Sequence, residues 1–326
     1  MLSQHNPGNI VAPCYHVVAE RRLPHIRQLY PFRDPVEFKR ELDWLLARFQ
    51  PVSLEDIVAS QTKGTALPVK SLFLSFDDGF REMAEIVAPI CKREGVPATF
   101  FLITDFLDNR KLGFRHKASL LLETLSALPP EKAQAILWET ARLRSIEYRE
   151  SVSEFVLGVG YTHSSLLDEA ARLAGLDFQD YLRRESPYLS SKQVRGLLED
   201  GFSIGAHSLD HPRYSEISIE QQIMQTSGSV EYLVRNFGMK HRAFAFPFVS
   251  DGVSEDFYRR VFSEHICDVV FCIGATPSTE NWPIVERFGV ERNPSEPIWT
   301  ILRTMNRRRL RRRVSRWISP LRRLIK

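Results

Sequence analysis

Apolar residues in this chain fall into two kinds of run. Short continuous runs at Val11–Val18, Ser71–Phe76, Ala98–Ile103, Phe202–His207, Ala243–Phe246 and Val269–Ile273 read as buried strands. Between several of them, apolar positions recur at helical spacing. Asp34–Phe49 carries Val36, Phe38, Leu42, Leu45, Leu46 and Phe49, with Asp34 and Pro35 as a fitting start. Helices are predicted likewise from about Phe80 to Glu94, closed by Gly95, and at Ile219–Phe237. Strand, helix and strand joined by short turns is the parallel α/β pattern. It predicts a barrel-like parallel sheet covered on its outside by helices.

The stretch from about 108 to 190 departs from that alternation. Amphipathic segments at Ala118–Leu128, Glu131–Leu143 and Ser164–Leu173 have no strand pattern between them, and Ser191–Glu199 follows as another helix. We read 108–190 as a helical insertion in a barrel spanning residues 1–302, and 303–326 as a separate tail. No internal repeat is evident.

Composition changes this picture at the C-terminus. With 326 residues, 43% hydrophobic and 26% charged, the chain is globular and long enough for a sizeable core. Residues 303–326 hold eleven basic residues and no acidic one, although the whole chain has 44 basic and 40 acidic residues; the body is therefore mildly acidic. In the tail, Leu310, Val314, Trp317, Ile318, Leu321, Leu324 and Ile325 trace one helical stripe among arginines, and Pro320 would kink it. Such a basic amphipathic helix suits an anionic membrane surface. Packing of the stripe on the barrel is the plainer alternative, and nucleic acid is disfavoured because nothing in the acidic body supports base readout. Met1–Pro13 has no secretory pattern and no stretch approaches the length of a membrane span. The expectation is a cytoplasmic protein, peripheral on the inner membrane face. The four cysteines are scattered, and Cys267 and Cys272 sit in an apolar run that favours core packing over a metal knuckle.

Two short pieces carry candidate chemistry, both at strand ends. Asp77 and Asp78 follow the Ser71–Phe76 strand and precede Gly79. Adjacent acids there need a cation or hydrogen bonds, although a helix cap with a spare acid is the bland account. His207 and His211 follow the Phe202–Ala206 strand, four residues apart, so that both can meet one ion. One carboxylate and two imidazoles make a facial set with open positions, as a hydrolytic metal requires.

These residues resemble the motifs of the polysaccharide deacetylases, carbohydrate esterase family 4. Ser75–Gly79 is similar to the first motif of that family and His207–His211 to the second. Gly95–Leu102 and Gly201–Ala206 are similar to the strands beside them. The resemblance runs from about Tyr15 to Arg292, apart from the insertion. It implies a distorted (β/α) barrel and a metal-dependent hydrolase that removes an N-acyl group, acetyl above all, from an amino sugar. In the family's terms Asp77 resembles the general base, and Asp78, His207 and His211 the ligands of a divalent metal. Zinc fits that set; iron, cobalt or nickel also occupy histidine–carboxylate sites.

Departures from the family's pattern lie further on. Phe244–Phe248 keeps a proline and aromatics, and Pro247 and Phe248 are read as lining the acyl or sugar pocket or as core. Arg287 either orients Asp77 or makes a surface ion pair. No histidine follows His265, which looks like a helix end, so His16 is the better candidate for the general acid, with a histidine hydrogen-bonded within the barrel mouth as its plainer alternative. Its Tyr15-His16 pair resembles the opening of the branch that includes biofilm-polymer deacetylases. His25, His163 and His241 are read as surface or loop residues. The expected substrate is a carbohydrate, as a polysaccharide, a glycolipid or a glycan precursor. A catalytically silent carbohydrate-binding protein and a membrane-associated interaction protein are the alternatives.

Overall fold

The computed structural model describes residues 10–144, 151–274, 282–291 and 296–304. Its strands are β1 (Ile10–Val11), β2 (Pro13–Tyr15), β3 (Gln50–Pro51), β4 (Ser71–Leu72), β5 (Leu74–Phe76), β6 (Ala98–Leu102), β7 (Ser203–Ala206), β8 (Ala243–Ala245), β9 (Val269–Cys272), β10 (Ile284–Glu286) and β11 (Phe288–Gly289). Eight of them form one all-parallel sheet in the order β10-β9-β8-β7-β6-β5-β2-β11. The two edges of this sheet, β10 and β11, are separated in sequence by Arg287 alone. The chain therefore leaves one edge and joins the other within a single residue, and the sheet curls into a nearly closed barrel. A small parallel sheet, β1-β4-β3, adjoins it.

Side chains on the barrel strands alternate, as the pleat dictates. Phe73, Phe101, Ala243, Ala245, Val269 and Phe271 belong to a compact inner cluster. Phe76, Phe100, Leu102, Phe244 and Val270 face the other way, into the layer beneath the outer helices. Small residues in the interior make room for large ones: an added Cβ on Gly205 would lie 2.4 Å from the Phe101 ring. The covering layer includes the helices Pro35–Leu46, Ser191–Glu199, Ile219–Phe237 and Glu255–Ser263, whose Phe38, Leu42, Val194, Val230 and Phe257 enter the same cluster.

Helix starts follow local chemistry. Asp34 caps the first of these helices in a reciprocal capping box with Glu37, and Pro35 takes its first turn, as expected. The helix expected from Phe80 differs. Phe80 bridges to Tyr188, a wide π-turn occupies Met83–Val87, and regular α-helix covers only Ala88–Arg93. Pro89 has no amide to donate to the preceding turn, which widens instead.

The described residues between Leu107 and Glu185 include the helices Phe114–Ser126, Pro130–Leu143, Val152–Gly158, Ser165–Ala174 and Phe178–Glu185. These helices bury a second apolar cluster, joined by Val17, Leu23 and Ile26 of the N-terminal loop. They are tied to the barrel mouth, where the Tyr161 hydroxyl donates to Asp210 at 2.9 and 3.0 Å and Phe114 meets Phe248 at 6.4 Å. All four cysteines are buried free thiols. No helix among the described residues is long and apolar enough to cross a membrane. The basic stripe expected in the tail lies outside the described residues.

Candidate active site

The site lies at the C-terminal ends of the strands, where the backbone turns sharply. Asp77 and Asp78 follow β5, and His207 and Ser208 follow β7. Four non-glycine residues here have positive φ: Asp78 (77°), Ser208 (68°), His211 (67°) and Phe248 (58°). Left-handed backbone is costly for such residues and persists where surrounding contacts enforce it, typically at functional sites.

Asp78, His207 and His211 present three ligand atoms within 4.8 Å of one another. Asp78 Oδ1 is 3.4 Å from Nε2 of His207 and 3.4 Å from Nε2 of His211. That oxygen is buried and has no hydrogen-bond partner among the described residues. His207 uses Nδ1 to donate to the carbonyl of Ala245 at 2.8 Å, which leaves Nε2 to face Asp78. Burial, only partly offset by Asp78, holds His211 down at about 3, so its ring is neutral. Asp78 Oδ1 and the two Nε2 atoms thus converge on one point, as the ligands of a single cation do. Together with the orphaned oxygen, this donor set fits a divalent metal of the zinc type.

Asp77 is held on the other side. It is buried, and Arg287 donates Nη1 to Oδ1 and Nη2 to Oδ2, each at 2.7 Å. Arg287 is buried too, stacked with its guanidinium carbon 4.9 Å from the Phe101 ring and donating to Ser75 Oγ at 3.1 Å. The surface ion-pair reading of Arg287 is therefore wrong; the residue orients Asp77. Burial alone would raise the Asp77 pKa, but Arg287 and then His207 more than offset it and bring it to about 2. Cys14 adds a thiol donor 3.1 Å from Asp77 Oδ2, and burial above all keeps that thiol neutral. Cys14, His16 and Asp77 also form a compact group of metal-type ligand atoms. Both Asp77 oxygens are engaged by Arg287 and His16 Nδ1 by Glu291, so this second group does not offer a free donor set.

His16 sits just beyond β2 and donates Nδ1 to Glu291 Oε2 at 2.6 Å. Oε1 of the same carboxylate accepts the backbone amides of His16 (2.5 Å) and Val17 (3.3 Å). Burial lowers the His16 pKa, but Glu291 reverses the effect and carries it to about 10. Tyr30 leans on the His16 ring at 5.3 Å, with a buried hydroxyl that has no partner among the described residues.

Of the other expected residues, Phe248 packs 4.6 Å from His211 and is half-buried, whereas Pro247 is buried. His265 is exposed at the end of the Glu255–Ser263 helix. His25 departs from the surface reading: it is 1% exposed, donates or accepts at Tyr181 Oη (2.8 Å), and lies in an aromatic cluster with Phe80 and His116. Glu291 was not anticipated, because nothing in its local sequence connects it to a residue 275 positions away.

A family profile described as polysaccharide deacetylase matches residues 64–261, more than half of the chain and inclusive of Asp77, Asp78, His207 and His211. No curated protein sequence matches. Among solved structures, the chain is similar to the Streptococcus pyogenes deacetylase PplD in complex with acetate. Identity is 15%, coverage 91% of this chain and 97% of that one, and the TM-score 0.57. A de-N-acetylase from Aggregatibacter actinomycetemcomitans follows at 15% identity, 90% and 98% coverage, and a TM-score of 0.53. IcaB from Ammonifex degensii gives 16% identity, 87% and 92% coverage, and 0.51. At these identities the structural likeness speaks for the barrel fold. With the profile match spanning both carboxylate and histidine motifs, the chain belongs to the polysaccharide deacetylase family.

Proposed function

We propose that the protein is a metal-dependent N-deacetylase that hydrolyses the acetamide of an amino sugar in a polysaccharide, glycolipid or glycan precursor. The observation that carries this reading is the orphaned Asp78 oxygen facing the Nε2 atoms of two histidines, with a clamped carboxylate and a carboxylate-backed histidine on either side. Asp78, His207 and His211 would hold the metal, with zinc best suited to the donors. When bound, the ion would supply Lewis-acid polarisation of the acyl carbonyl and acidify water at the site.

Asp77 is the proposed general base. Arg287 fixes both of its oxygens, so that it takes the proton from the attacking water without rotating away. Water adds to the acyl carbon, and the resulting tetrahedral species collapses when the C–N bond breaks. His16 is the proposed general acid. Glu291 holds its Nδ1 and leaves Nε2 to protonate the departing amine. Acetate and the free amino sugar are the products. Phe248, against His211, would form a wall of the acyl pocket. The presence of a supported acid argues against a silent binding protein.

Metal content measured alongside acetate release from N-acetylated sugars and glycolipids, for wild type and Asp77→Asn, tests the reading. Bound metal with release that disappears in the variant supports it. A carefully purified protein that neither holds metal nor takes it up would sink it.

A further inference from the structure

Tyr161 and Asp210 make a contact that the proposed chemistry does not use. The loop His207–His211 carries two of the three candidate ligands, and the barrel holds it from several sides. Thr104 and Asp105, just beyond β6, donate their amides to the carbonyls of Ser208 (3.2 Å) and Leu209 (2.9 Å). Gln225, buried on the Ile219–Phe237 helix, accepts the amides of Leu209 (3.0 Å) and Asp210 (3.3 Å) on Oε1 and donates Nε2 to Asp210 Oδ1 at 2.7 Å. The His211 amide closes the loop on Ser208 Oγ at 2.9 Å.

A further hold comes from the helical segment. Tyr161 opens the turn Tyr161–His163 between the helices Val152–Gly158 and Ser165–Ala174. Its hydroxyl shares one proton between the two Asp210 oxygens, at 2.9 and 3.0 Å. Phe114 meets the Tyr161 ring edge-on at 5.9 Å and the Phe248 ring at 6.4 Å. Phe248 in turn packs 4.6 Å from the ring of His211. The segment therefore reaches the ligand loop by two routes, a hydrogen bond to Asp210 and aromatic packing that ends on the next residue.

Asp210 directly precedes His211, whose φ of 67° is left-handed. A histidine keeps such a backbone only while its surroundings impose it. Gln225 and Tyr161 impose it together, one on each side of the Asp210 carboxylate. Without the Tyr161 hydroxyl, one side of Asp210 is released, and with it the residue that aims His211 Nε2 at Asp78 from 3.4 Å. We infer that Tyr161 is a positioning residue for the metal site, acting through Asp210 on His211, so that docking of the helical segment and metal binding strengthen one another. Partners that stand behind metal ligands commonly change metal affinity by about 10- to 100-fold. Such coupling is reciprocal. This rests on the reading of Asp78, His207 and His211 as ligands.

Zinc affinity of the full chain, measured by competition with a chromophoric chelator, reads the effect without turnover. Tyr161→Phe removes the hydroxyl and keeps the ring, and should weaken zinc binding at least about tenfold. In an Asp210→Ala background the same change should have no further effect, because the acceptor is gone. Lys117→Gln breaks an ion pair with Asp168 (2.7 Å) that lies wholly inside the segment, and should leave zinc affinity as it is. Hydrogen exchange gives the reciprocal readout. Zinc should slow exchange in the helices that flank Tyr161 in the wild type, and much less in Tyr161→Phe. Zinc affinity in Tyr161→Phe within about twofold of wild type overturns the role. Lys117→Gln that weakens zinc as much as Tyr161→Phe overturns it too, because any loosening of the segment would then suffice. A wild-type chain that takes up no zinc would instead overturn the metal site itself, and the role of Tyr161 with it.

Discussion

Arg287 meets Asp77 as a two-pronged fork, with 2.7 Å on each prong, from the one residue at which the barrel passes from its last edge to its first. Fold closure and the orientation of the proposed base are therefore the same event. Removing the guanidinium leaves a buried carboxylate without its counter-charge, so Arg287→Ala should cost about 3–5 kcal/mol of stability. Arg287→Lys, a point charge in place of a fork, should cost less. Urea denaturation checks this, and an alanine variant as stable as wild type would remove the pair from the account. The sign with pH also follows. Asp77 titrates in the folded state at about 2, below its unfolded value, so its contribution is whole above roughly pH 4 and is lost as the pH falls toward 2. Arg287→Ala should lose less stability across that acid window than wild type does.

His16 presents the opposite sign. Its folded pKa of about 10 exceeds the ordinary histidine value, so its ion pair with Glu291 stabilises fully below about pH 6.5 and fades as the pH rises through 10. As the proposed general acid it stays protonated across neutral pH. Glu291→Gln should shift the alkaline limb of kcat/KM to lower pH, and His16→Ala should lower kcat by roughly 10²–10⁴. An unmoved alkaline limb in Glu291→Gln would assign the limb to another group.

Metal removal separates structure from catalysis. Chelation should abolish acetate release and lower the Tm, because an ion bound to the folded chain stabilises it by mass action. Zinc should restore both. Asp78→Asn and His207→Ala should bring elemental zinc from about one per chain to near zero. Full metal content in both variants would place the ion elsewhere.

Gly205 tests the barrel interior. Its missing Cβ leaves room for the Phe101 ring, which in turn lies under Arg287. Gly205→Ala should destabilise by about 1–3 kcal/mol through overpacking. Adding Phe101→Leu should recover part of that loss in a thermal melt. A single variant with an unchanged Tm would mean that the interior relaxes freely.

The sequence by itself determined the parts whose physics is local. Continuous apolar runs made strands such as Ala98–Leu102, and Asp34 with Pro35 started its helix because a cap and a first turn need only neighbouring residues. Asp77 with Asp78, and His207 with His211, were legible because each pair sits within five residues, directly behind its own strand. Tertiary structure alone decided what those pairs meet. Arg287 reaches across 210 positions to Asp77 and Glu291 across 275 to His16, and both contacts exist only because the sheet curls until its first and last strands adjoin. His25 likewise became buried through packing against the helical segment, which no periodicity near residue 25 announces. Spacing along the chain fixes which groups share a turn; closure of the barrel fixes which charges share a site.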